Sequence, residues 1–249
     1  MLKSRAEIDK MRRAGRVVAE MLDKCSDAAR PGVTTADLDK LARSILDARG
    51  ARSNFLNYHG FPAVICTSPN NTIVHGIPGS YQLKDGDILS IDCGAIIEGY
   101  HGDAAVTVAV GDVSDEAASL LKTTEASLQA AIEQIRDGNR LSDIGHAVQE
   151  VAEAAGYSVV REYVGHGIGT AMHEEPQIPN YGPPGKGIKL KVGHVFAVEP
   201  MVNVGAPGTL LLDDGWTVVT ADGSLSAHFE HTIAVTDDGP EVLTDRSDL

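Results

Sequence analysis

The sequence predicts an α+β fold made of two similar halves, and three observations carry that prediction. The run Lys84-Asp85-Gly86-Asp87-Ile88-Leu89-Ser90-Ile91-Asp92 parallels Lys191-Val192-Gly193-His194-Val195-Phe196-Ala197-Val198-Glu199, each reading as a turn and then a strand that ends on a carboxylate. Upstream, Gly32 and Gly138, Asp37 and Asp143, Leu38 and Ile144, Ile45 and Val151, and Gly50 and Gly156 recur at a constant offset of 106. Each half reads as two helices followed by strands, with turn signals too closely spaced for long parallel crossovers. No linker separates the halves. The 249 residues are therefore expected to form a single domain, with internal halves of about 1–112 and 113–249 related by a pseudo-two-fold axis and antiparallel sheet flanked by helices.

The elements follow in order. Ser4-Arg5-Ala6-Glu7 is a capping box, and Ile8, Met11, Val17, Val18, Met21, Leu22 and Cys25 follow it at helical spacing. Pro31-Gly32 breaks that helix; Thr34 or Thr35 caps a second, with Leu38, Leu41, Ala42, Ile45 and Leu46 inward and Gly50 at its end. Strands are expected at Ala63 to Thr67, Thr72 to Val74, Ile88 to Asp92 and Ala104 to Val110, where β-branched residues dominate between Gly, Asn and Asp turns. Ala117 to Ile135 and Leu141 to Ala155 are the helices of the second half, broken by Asp137-Gly138.

Composition narrows the function. A formal charge of −14 argues against general binding to a nucleic-acid backbone, and much of the acidic excess lies in the Asp237 to Asp248 tail. A basic stretch from Lys10 to Arg16 reads as a solvated helix face. The three cysteines, Cys25, Cys66 and Cys93, show no CxxC spacing and fit a reducing compartment. With no apolar signal region and no run of membrane-spanning length, the chain is expected to be cytoplasmic, without membrane contact.

The repeated strand-end acid is the chemical clue, because a buried carboxylate is costly unless it is paired or bound to a metal. Asp92 precedes Asp103 by eleven residues, with Gly94, Gly99 and Gly102 between them, so a hairpin would fold the two acids together. The second half adds His166 in Gly165-His166-Gly167-Ile168-Gly169, then Glu199, then Glu230 in His228-Phe229-Glu230-His231. Four such carboxylates cannot all stay ionised at close range without cations, and two divalent ions bring the set near neutrality. Oxygen-rich ligation with one imidazole suits manganese, iron, cobalt or zinc in a catalytic site and lacks the thiolates of structural zinc. The chemistry expected is metal-assisted hydrolysis.

These residues resemble a known family. His75-Gly76-Ile77-Pro78, Asp92-Cys93-Gly94, Asp103, the stretch from Gly165 through His173-Glu174-Glu175-Pro176, Glu199-Pro200-Met201 and Phe229-Glu230-His231 are similar, in order and spacing, to the methionine aminopeptidases, in their short bacterial type 1 form. The resemblance implies the pita-bread fold and five metal ligands, Asp92, Asp103, His166, Glu199 and Glu230. Asp103 and Glu230 would bridge two ions, Asp92 would hold one, and His166 with Glu199 the other. It also implies that His75 and His173 hydrogen-bond the substrate and the tetrahedral intermediate, that Glu199 moves a proton from water to the leaving amine, and that Tyr58, Phe61, Cys66 and Trp216 line the side-chain pocket. Thioether contacts with aromatic edges and sulfur suit such a pocket.

The activity implied is removal of the initiator methionine from nascent chains, preferably before a small second residue, by a monomer. A ribosome contact near Arg12, Arg13 and Arg16 is a candidate surface. Met172 and Phe61 stand where many relatives carry Phe and Tyr, changes expected to alter affinity while keeping the wall apolar. His101, His146, His194 and His228 are assigned structural or surface roles, and His59 is left open. Two alternatives are weighed against this reading. An Xaa-Pro aminopeptidase or prolidase would share the five ligands but usually carries a sizeable preceding domain. A non-catalytic pita-bread binding protein would typically have lost ligands.

Overall fold

The computed structural model describes residues 2–247, so Met1, Asp248 and Leu249 of the expected single domain and acidic tail lie outside the described residues. The first half runs α1 (Arg5–Ala28), α2 (Thr35–Arg49), β1 (Arg52–Ser53), β2 (Ile65–Pro69), β3 (Thr72–Val74), β4 (Ile88–Ile97) and β5 (Tyr100–Ala109). The second begins with α3 (Asp115–Gln134), α4 (Leu141–Ala154), β6 (Ser158–Val159), β7 (Gly165–Gly167), β8 (Glu174–Ile178) and β9 (Val195–Val198). It ends with β10 (Met201–Asn203), β11 (Thr209–Leu211), β12 (Val218–Thr220), β13 (Ser226–His228), β14 (His231–Thr236) and β15 (Gly239–Val242).

Local chemistry sets the helix ends. Ser4 closes its capping box with Glu7, and α1 buries Ile8, Met11, Val18, Met21, Leu22 and Cys25 on one face. Thr34, not Thr35, caps α2, through a reciprocal box with Asp37, and left-handed Gly50 (φ 61°) ends it. Helix α3 starts two residues earlier than the periodicity indicates, because the Ser114 hydroxyl accepts from the Ala117 amide.

The repeat is visible in backbone conformation. Gly32 and Gly138 both take positive φ, 93° and 96°, and donate their amides to Leu83 and Leu190 respectively. Asp37 and Asp143 occupy the same position in the first turns of α2 and α4. The isolated bridges Thr34–Gln82 and Arg140–Lys189 lie at equivalent places. The sheets are antiparallel, ordered β1-β4-β2 with β5 on the other side of β4, β15-β14-β9-β7-β8, β13-β10-β6 and β11-β12-β3. One continuous core spans both halves, from Val18, Leu22 and Ile91 to Ile144, Phe196 and Val202.

One expectation fails. Asp92 does not end its strand; β4 continues to Ile97, paired throughout with β5. In the second half the equivalent strand does stop, because Pro200 follows Glu199 and has no amide to donate, leaving β9 and β10 as separate pieces.

Candidate metal centre

The β4–β5 hairpin sets Asp92 opposite Ala105 and Asp103 opposite Gly94, so the two acids are diagonal neighbours across the ladder. Gly94 admits Asn54, whose side chain would collide with any Cβ there and whose amide donates to the Gly102 carbonyl at 3.0 Å. From the second half, β7 presents His166, opposite Ala197 of β9, and Glu199 directly follows β9. Glu230 sits between β13 and β14 and forms a β-bridge with Ala105. Two side-chain contacts flank that bridge. The Thr232 hydroxyl accepts from the Asp103 amide and donates to its carbonyl, while the Thr107 hydroxyl accepts from the His228 amide and donates to its carbonyl. The acids of both halves therefore meet on one seam.

Asp103, His166 and Glu230 are buried, and ligand atoms of the three lie within 4.8 Å of one another. The His166 Nε2 lies 3.5 Å from Glu199 Oε1. A carbonyl can only accept, so His166 Nδ1, 2.9 Å from the Gly167 oxygen, carries the proton and Nε2 presents its lone pair to the acids. Desolvation raises the Asp92 carboxyl to about 7. The other three rise well above the usual carboxylate range, through desolvation first and then the charge of neighbouring acids. Burial also holds His166 down at about 4, so its imidazole is neutral. Asp92 Oδ1 and Asp103 Oδ1 are sealed from solvent with no hydrogen-bond partner. Buried acceptors without donors, beside a neutral imidazole lone pair, are what a divalent cation satisfies. The donor set fits one.

The cluster forms the floor of a cavity of about 130 Å³ whose other walls are Phe55, Tyr58, Phe61, Cys66, His75, Met172, His173 and Trp216. Every residue expected at the metal site, the pocket or the substrate hydrogen bonds lines it. Phe61 meets the Trp216 ring edge-on at 5.1 Å between centroids. His75, at positive φ (62°), is held in a conformation unusual for a side-chain-bearing residue, a strain characteristic of functional positions. Burial lowers its pKa to about 4, with His173 adding to the effect. The His173 Nδ1 lies 2.7 Å from the Tyr58 hydroxyl, and its ring is 4.3 Å from that of His166.

Three cavity neighbours escape the sequence reading of roles. Phe55 carries no motif. Met172 was noted only as a departure, yet it is 5 % exposed and packs with Phe61 and Cys66. His228, assigned a structural or surface role, is buried with Nε2 3.8 Å from Glu199 and 4.0 Å from Glu230. Its signal was available, since a residue two before a strand acid shares that acid's face. Outside the cavity, Arg12 is ion-paired with Asp9 and Glu241, and Arg13 with Glu98.

Residues 9–237 match metallopeptidase family M24. The methionine aminopeptidase of Clostridium perfringens is 52% identical over 244 residues, covering 98% of each chain. The crystal structure of methionine aminopeptidase from Rickettsia prowazekii superposes with a TM-score of 0.97 at 46% identity, covering 98% of this chain and 99% of that one. Prolidase from Pyrococcus furiosus, at 19% identity and TM-score 0.80, covers 98% of this chain and 65% of its own, and shares the fold. That fold is the pita-bread fold, as expected.

Proposed function

Because this chain belongs to metallopeptidase family M24, we propose that it releases the N-terminal methionine of nascent proteins and peptides, preferring a small second residue. The observation that carries the reading is the union of an acid-lined floor with an apolar, sulfur- and aromatic-walled cavity. Asp92, Asp103, His166, Glu199 and Glu230 would hold the divalent metal, two ions being the number that brings four carboxylates near neutrality. Such ions supply Lewis acidity and make water acidic enough to attack a carbonyl at neutral pH.

The chain's own groups do the rest. Phe61, Cys66, Trp216 and Tyr58 take the thioether and exclude water from it. The neutral imidazoles of His75 and His173 hydrogen-bond the scissile carbonyl as charge develops on its oxygen, and Tyr58 orients His173. Glu199, which lines the acid floor beside His166, accepts the proton of the attacking water and passes it to the departing amine. The enzyme works as a single-domain monomer in the cytoplasm, where nascent chains emerge. Docking on the ribosome would use the α1 face that carries Arg12, Arg13 and Arg16.

The test is release of free methionine from Met-Ala-Ser by chelated protein resupplied with manganese, cobalt, iron or zinc, with an Xaa-Pro peptide in parallel. Metal-dependent release from Met-Ala-Ser alone, lost in Asp103→Asn, supports the proposal. Turnover of the Xaa-Pro peptide alone, or of neither by folded protein, refutes it.

A further inference from the structure

Lys3, just ahead of α1, is 7 % exposed at its side chain, unusually low for a lysine, and its Nζ meets Glu174 Oε2 at 2.7 Å. The other oxygen of Glu174 accepts from the Thr170 amide at 2.9 Å and the Ala171 amide at 3.3 Å. One carboxylate thus ties the turn from Gly169 to Glu174 to itself on one side and to Lys3 on the other. The lysine is anchored in turn, its amide donating to the Gly193 carbonyl at 2.7 Å. The pair closes over Gly169: a Cβ there would stand 2.5 Å from Lys3 Cε and 2.6 Å from Glu174 Oε1 and would push those side-chain ends aside. Burial alone would raise the Glu174 carboxyl, but the hydrogen bond and charge of Lys3, with the two amides, outweigh it and leave it lowered.

The turn so fixed carries two cavity residues. Met172 packs against the pocket wall, and His173 reaches Tyr58 and the His166 ring. We propose that Lys3 is a positioning residue for the substrate pocket: through Glu174 it holds the Gly169–Glu174 turn and so sets where Met172 and His173 meet the substrate. This rests on the reading above that the cavity receives methionine. Lys3 touches no reacting atom; its effect passes through the turn. A small displacement of an aligned group is enough to slow a reaction substantially.

The experiment uses the full chain with Lys3→Met, Glu174→Gln and the double substitution. Amide hydrogen exchange on metal-free protein should show faster exchange at Thr170 and Ala171 in Lys3→Met, with protection in β9 and β14 unchanged. In metal-loaded protein, kcat/KM for Met-Ala-Ser should fall about tenfold, and the double variant should be no worse than the more impaired single variant, as expected for one shared contact. Where Lys3→Met fails to fold, Glu174→Gln carries the test, since its amide oxygen still accepts from the turn while the charge for Lys3 is gone. Unaltered exchange and kinetics in a folded variant would overturn the proposal, as would a loss of protection spread equally across β9 and β14. Wild-type protein that releases no methionine refutes the proposed activity instead, and leaves the exchange result standing.

Discussion

Stripping the metal should make stability fall with rising pH in a way that the loaded protein does not. Above about pH 6.5 ordinary histidines are mostly neutral in the unfolded chain. His75, His166 and His228, held down at about 4, 4 and 3, are neutral in the fold with or without metal, so their contribution to the slope cancels between the chelated and loaded forms. The buried acids behave differently. Asp92 is raised to about 7 and Asp103, Glu199 and Glu230 well above the usual carboxylate range, so the metal-free fold retains protons that the unfolded chain has lost. A carboxyl whose folded pKa is raised contributes a stability that declines as pH climbs towards that pKa. Each retained proton costs about 1.4 kcal/mol of stability per pH unit. Asp92 and Glu199 are partly open to the cavity, so their shares are softened by water. For each proton retained, urea unfolding of chelated protein between pH 6.5 and 8 should lose about 1.4 kcal/mol per pH unit more than protein saturated with manganese. The raised thiols of Cys25, Cys66 and Cys93 act with the same sign in both forms and largely cancel in the difference. Asp103→Asn should flatten the chelated curve. Parallel curves for chelated and loaded protein would refute the claim that these acids share one uncompensated site.

Three further outcomes are expected. Gly94→Ala should destabilise the fold by roughly 1–3 kcal/mol in urea unfolding, since the new methyl meets Asn54 and displaces its bond to Gly102; an unchanged midpoint would contradict that packing. Trp216→Ala should raise KM for Met-Ala-Ser more than it lowers kcat, because the ring packs on Phe61 in the pocket wall; steady-state kinetics decide it. Cys25 and Cys93 are buried and, unlike Cys66, do not line the cavity, and burial pushes Cys25 up to about 12 and Cys93 well above the ordinary thiol range, so a thiol reagent at pH 8 should label neither until urea unfolds the chain.

Most of the architecture was legible because it is local. Ser4 with Glu7 and Thr34 with Asp37 state helix starts in four residues, and Gly50 states an end. The repeat was legible because it is a comparison of the chain with itself. Gly32 and Gly138 share a backbone conformation, a fact their spacing implied without naming the angle. The continuation of β4 past Asp92 was hidden because Gly94 weakens a strand signal, and it is long-range pairing with β5 and β1, with Asn54 packed against Gly94, that carries the strand on. The contact between Lys3 and Glu174 was equally hidden, since 171 positions separate the partners and neither residue type is unusual at a surface.

The seam between the halves explains why the acids could be named from sequence while their meeting could not. Asp103 stands against Thr232, Ala105 against Glu230 and Thr107 against His228, steps of two taken in opposite directions along the chain, as in an antiparallel ladder. Only the central step is a backbone bridge; at the other two, threonine hydroxyls stand in for the missing partner. No periodicity announces such a pairing. It also joins fold to chemistry, because Asp103 and Glu230 come from different halves and gather on this seam like charges that resist being brought together. A cation that satisfies both offsets that repulsion, so binding the metal and docking the halves draw on the same free energy. A substitution in the seam, such as one at Thr232, therefore bears on metal affinity and on stability together, although its hydroxyl bonds the backbone of Asp103 and not its carboxylate.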